Sequence, residues 1–123
     1  LFDCHSIVSR VPRLFDGQLP DFNLGTAGGT ACNADLCAWL ADALREDDRY
    51  SLAVDGRFKG GFITRNYGAP EERIDAFQLE LSISTYGQEE APYAYLPDQA
   101  AEVRPSLRRM LQAALDWAAE QAR

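Results

Sequence analysis

Lysine is almost missing from this chain. Lys59 is the single lysine among 123 residues, and 12 basic side chains face 19 acidic ones, a net charge of −7. A surface that grips nucleic acid displaces counterions with a basic patch, and no lysine or arginine cluster stands out here. The same shortage argues against an anionic membrane surface. A small anionic substrate stays open, provided a few arginines converge in one pocket. Long apolar runs are missing too: nothing approaches the roughly 18 residues of a membrane-spanning helix. No secretory leader pattern opens the chain. Cysteine is sparse: Cys4, Cys32 and Cys37 are odd in number and form no C-x-x-C pair. That disfavours a disulfide framework or a thiolate zinc site, and reduced thiols in a cytoplasmic protein are expected. Histidine occurs once, at His5.

What is present is ordinary for a globular chain, with 46% hydrophobic and 25% charged residues. The length fits one small domain. The chain opens at Leu1-Phe2, inside an apolar stretch, so we expect a piece of a longer protein. Residues 1–8 read as a strand, with Phe2 and Cys4 on one face and Asp3 and His5 on the other. Residues 9–33, broken by Pro12, Gly17, Pro20, Gly25, Gly28 and Gly29, read as a long loop, of a length that is usually functional or disordered. Asn33 suits the N-cap of a helix over 34–46, where Leu36, Trp39, Leu40, Ala43 and Leu44 recur at helical spacing. Residues 50–56 suggest a strand closed by Asp55-Gly56. Residues 74–82 alternate, with Gln78, Glu80 and Ser82 opposing Phe77, Leu79 and Leu81. Pro105 fits the first turn of a final helix whose stripe is Leu107, Met110, Leu111, Ala114, Leu115 and Ala118. Strand, helix, strand, strand, helix is an α/β pattern.

Few residues here are suited to chemistry. Asp3 lies two residues before His5, so the carboxylate can orient the imidazole, as it does beside a metal. A catalytic zinc takes three protein ligands and a water, and one histidine cannot supply them. Glu80 sits in the apolar run QLELS. It is either a solvated residue on an edge strand or a partly buried carboxylate whose raised pKa suits proton transfer. Arg65, in GGFITRNYG, can grip a carboxylate bidentately or form a surface salt bridge; Arg10, Arg13 and Arg57 are weaker candidates. LGTAGGT lacks the Gly-Lys-Ser/Thr ending of a phosphate loop. Cys4 and His5 alternate across a strand, so they form no nucleophile–base pair. Asp21, Asp35, Glu71, Glu72, Glu89 and Glu90 read as solvated surface charges.

Four segments, in order and at matching spacing, resemble the N-formylglutamate amidohydrolase family, deformylases of histidine breakdown. They are LFDCHSI at 1–7, VPRLFDGQLPDFNLGT at 11–26, GRFKGGFITRNYG at 56–68 and QLELSISTY at 78–86. The family is similar in fold to the zinc carboxypeptidase and aspartoacylase group. The resemblance implies a mixed sheet flanked by helices, with residues 1–123 as the C-terminal portion of one amidohydrolase domain. It implies a zinc cofactor with His5 as one ligand, Glu80 as the catalytic carboxylate, and Arg65 on a substrate carboxylate. Asn23 and Thr26 are expected to line the site. The implied substrate is a small anionic N-acyl amino acid, N-formyl-L-glutamate, cleaved to formate and glutamate. The segment that would bring the other zinc ligands is not in these residues, so the chain is expected to hold half a site. A non-catalytic α/β binding module, and an amidohydrolase of another N-acyl amino acid such as an N-acyl-aspartate, are the competing readings.

Overall fold

A computed structural model describes residues 1–123. Four strands form one mixed sheet: β1 (Phe2–Ile7), β2 (Phe22–Gly25), β3 (Leu52–Val54) and β4 (Phe77–Ser82), in the order β1-β4-β2-β3. β1 runs parallel to β4, β4 antiparallel to β2, and β2 parallel to β3. Helices α1 (Ala34–Arg45), α2 (Phe62–Tyr67) and α3 (Pro97–Gln121) complete the fold, with short 3₁₀ turns at Pro70–Glu72 and Ile83–Thr85.

The sheet is two-faced because its sequence alternates. Phe22, Leu24, Phe77 and Leu79 point to one side and pack with Leu36, Leu40 and Leu44 of α1 and with Val103, Met110 and Trp117 of α3. Fully burying one such side chain is worth roughly 1.5–3 kcal/mol. A one-residue slip would turn this whole set to solvent, so the register is firmly set. The opposite face is thereby fixed as the polar one, carrying Asp3, His5, Asn23, Gln78 and Glu80. α1 starts as expected: the Asn33 side chain accepts from the Asp35 amide at 2.9 Å, and Arg45 lies in the last turn against the helix dipole. Trp39 of its apolar stripe sits half out of the core, packed edge-on against Trp117 at 5.7 Å.

Three expectations need correction. The stretch 9–33 is not all loop, because it contains β2, whose four residues are all buried. FNLG alternates, but over too few residues to be told from loop. The last helix begins at Pro97, and Pro105 lies inside it. Ala100 and Val103 are core residues, so packing carries the helix through the proline. Leu111 and Leu115, expected on the buried stripe, are exposed and line an apolar groove with Phe2, Ile74 and Trp117, away from the polar face. No helix is long and apolar enough to cross a membrane.

Candidate active site

The polar face is organised in rows across the sheet. His5 pairs in register with Glu80, and Glu80 with Asn23. In the next row Asp3 pairs with Gln78, and Gln78 with Gly25. Neighbouring strands lie about 4.8 Å apart and paired residues project to the same side, so His5, Glu80 and Asn23 stand shoulder to shoulder. β4 is a central strand, which removes the edge-strand reading of Glu80.

Each member of this group has a distinct environment. Glu80 is 8% exposed. Burial pushes its carboxyl above the usual carboxylate range; the imidazole of His5 counters the rise and the carboxylate of Asp3 adds to it. His5 is half exposed, and its Nε2 lies 2.8 Å from Asp3 Oδ2. Carboxylate, imidazole and raised carboxyl therefore form one linked set. Asn23 is buried. Its Nδ2 donates to the carbonyls of Pro20 (2.8 Å) and Glu80 (3.2 Å), while its Oδ1 has no partner.

The segment 57–61 closes one side of this face. A side chain at Gly25 would meet the carbonyl carbon of Lys59 at 2.6 Å, so only glycine lets this backbone lie on the sheet. The Lys59 carbonyl accepts from the Ala27 amide, and the Gly61 amide donates to Gln78 Oε1 at 3.2 Å. Gly60, at φ +110°, makes the turn into α2. α2 carries Arg65, exposed and paired with no acidic side chain; its Nη1 donates to the Gly60 carbonyl at 3.0 Å. Thr26 is buried. Its hydroxyl donates to Asp55 Oδ2 at 2.5 Å and accepts from the Gly29 amide at 3.0 Å, so it is engaged inside its own loop. Arg57 donates to the Leu14 carbonyl at 2.9 Å and ties the loop before β2 to this segment. Arg10 turns to Gln18.

The arrangement, a buried carboxyl of raised pKa beside a carboxylate-held imidazole, is one that hydrolases use. A family model described as N-formylglutamate amidohydrolase matches residues 1–87. The chain belongs to the N-formylglutamate amidohydrolase family. Among curated family members, the N-formylglutamate deformylases of Pseudomonas aeruginosa and Pseudomonas putida are each 50% identical to it over 120 residues. Those matches cover 98% of this chain and 45% of each relative, so the chain spans about half the length of the curated relatives it matches. The crystal structure of an N-formylglutamate amidohydrolase from Ralstonia eutropha JMP134 superposes with a TM-score of 0.74 at 25% identity, covering 93% of this chain and 42% of that one.

Zinc, expected for this amidohydrolase family, can be tested against the donors present. An imidazole oriented by a carboxylate is a zinc ligand in type. The number falls short: no group of three or more His, Cys, Asp and Glu side chains is placed to hold a metal ion. The residues suit a contribution of one ligand, not a whole site.

Two residues of this family member had no visible role in the sequence. Asp55 accepts from the Thr26 amide at 2.7 Å and the Gly28 amide at 3.2 Å, holding the loop after β2. Glu89, read above as a solvated charge, accepts from two backbone amides and a hydroxyl. Backbone donors leave no mark in a sequence, so neither role could be read there.

Proposed function

We propose that this chain is the part of an N-formyl-L-glutamate deformylase that carries the proton-transferring carboxylate and one zinc ligand. The observation that carries the reading is the pairing of His5 with a buried Glu80 on one polar sheet face. The names of the relatives support the substrate. His5, steadied by Asp3, is the metal ligand in this reading. A zinc ion held there by His5, with further ligands from the rest of the family domain, would supply Lewis acidity toward the attacking water and the formyl oxygen.

Glu80 takes the proton of the attacking water. Its raised pKa makes it a better base than an ordinary carboxylate and then a better acid. It returns that proton to the departing amine as the C–N bond breaks, leaving formate and glutamate. Asn23 braces the strand beneath Glu80 through the Glu80 carbonyl. Arg65, with no acidic partner of its own, holds a substrate carboxylate, which lets an acidic protein take an anionic substrate. Thr26 shapes the wall next to Gly25. In this reading the enzyme is cytoplasmic, which suits its free cysteines, and its reaction belongs to histidine breakdown.

The test uses the complete gene product with zinc, following formate release from N-formyl-L-glutamate. Glu80→Gln is expected to lower kcat by about 10²–10⁴-fold while the zinc content stays the same. Near-normal turnover in that variant refutes the assignment of Glu80. Faster cleavage of an N-acyl-aspartate by the wild type moves the substrate within the same chemistry.

A further inference from the structure

The strands bearing His5 and Glu80 leave the sheet together. Their register ends at Ile7 paired with Ser82, after which the backbone ladder stops. Two residues further along each strand stand Ser9 and Ser84. Glu89 bridges them: its Oε1 accepts from the Ser9 amide at 2.5 Å and the Ser84 amide at 3.1 Å, and its Oε2 accepts from the Ser9 hydroxyl at 2.6 Å. One carboxylate takes over where the strand-to-strand bonds end. Ser9 is buried, so its amide needs such a partner. Bonds from amides to a carboxylate are also stronger than those to a neutral acceptor.

β1 has the most to gain from this. It is the outermost strand, paired only with β4, and Cys4, His5 and Ser6 are exposed. Play at its end passes directly to His5. A second tie reinforces the first, with Ser6 Oγ and Tyr86 OH 2.8 Å apart. The Ser9 carbonyl also accepts from the Leu19 amide at 2.8 Å, which carries the anchor towards β2 and Asn23.

We propose that Glu89 is a positioning residue, a latch across the ends of β1 and β4 that fixes the separation of His5 and Glu80. The proposal rests on the deformylase reading above. Glu89 touches no reacting atom in it; it acts by keeping the two strands from sliding or splaying. Misplacement of a reacting group by about 1 Å can lower turnover on the order of 10²-fold.

The experiment compares the complete gene product with its Glu89→Ala and Glu89→Gln variants. Formate release from N-formyl-L-glutamate, thermal unfolding and amide hydrogen exchange are read in parallel. Glu89→Ala is expected to lower kcat about 10- to 100-fold with KM within about twofold. Ser9 and Ser84 amides exchange faster, while those inside β4 stay protected. Glu89→Gln keeps an acceptor oxygen for the two amides and recovers most of kcat. Unchanged kcat in Glu89→Ala overturns the proposal even if both amides exchange faster. So does a parallel loss of kcat, KM and melting temperature that Glu89→Gln does not repair, since that marks a structural role only. If Glu89→Ala does not fold, Glu89→Asp, which shortens the reach, must show the kcat loss at unchanged KM; full activity there overturns the proposal. A wild type that releases no formate is a failure of the deformylase reading. An active wild type matched by an equally active Glu89→Ala is a failure of the latch.

Discussion

Glu80 and Glu89 are the same side chain on one segment, and their surroundings give them different work. Glu80 is buried beside Asp3, and its carboxyl is pushed up in pKa. Glu89 is ringed by N–H and O–H donors, the amides of Ser9 and Ser84 and the hydroxyl of Ser9. Burial acts on a thiol in the same direction as on Glu80. Cys32 is pushed up to about 12, by burial first and then by the negative charge of Asp75. A group whose pKa is raised on folding favours the fold below its unfolded pKa, and that contribution disappears as pH climbs through the folded value. Between pH 8 and 9, then, folding holds Cys32 as the unreactive thiol, with thiolate reduced on the order of 10³-fold relative to an unfolded cysteine. Iodoacetamide in that range is expected to spare Cys32 in the native protein and to label it in denaturant, as read by peptide mass spectrometry. Equal labelling in both states would show that the site is open. His5 and Glu80 could be picked from the sequence because each breaks a local pattern, one as the lone histidine and the other as a charge in an apolar strand. Glu89 breaks none.

Elements were legible where a residue's own chemistry decides them and hidden where packing does. Asn33 announces α1 because capping is local. β2 is invisible because Phe22, Asn23 and Leu24 alternate over too few residues to stand out between prolines and glycines. Pro105 suggests a helix start because a proline usually opens a helix, and in α3 an earlier one, Pro97, has already done so. An interior proline forfeits one backbone bond, and its ring crowds the carbonyl of Ala101. The position is exposed, so no packing is lost on trimming it. Pro105→Ala is expected to stabilise the protein by roughly 1–3 kcal/mol, seen as a rise in denaturation midpoint at an unchanged m-value. A fall in stability would mean that the proline's restriction of the unfolded chain outweighs the backbone bond it forfeits.

On the scale of the molecule, α1 and α3 cover one sheet face, and the opposite face carries the candidate site under the segment 57–61. The α/β class and the apolar half could be read from alternation and helical spacing. The rows that join His5 to Glu80 and Asn23 could not, because strand order is set by contacts far apart in sequence. This asymmetry bears on the metal. A catalytic zinc needs three protein ligands, and these 123 residues offer His5 with Asp3 behind it. The isolated chain is therefore expected to bind zinc only weakly in equilibrium dialysis, with little change on His5→Ala. The complete gene product is expected to hold one zinc per chain and lose it on His5→Ala. Asp3→Ala should weaken binding there by about 10- to 100-fold, the usual effect of removing the group that orients a ligand imidazole. Tight, stoichiometric zinc on the isolated chain would mean that a full ligand set lies within it and that His5 is not a lone contributor. Zinc retained by the complete protein after His5→Ala would remove His5 from the metal and leave Asp3–His5 as a charge pair beside Glu80.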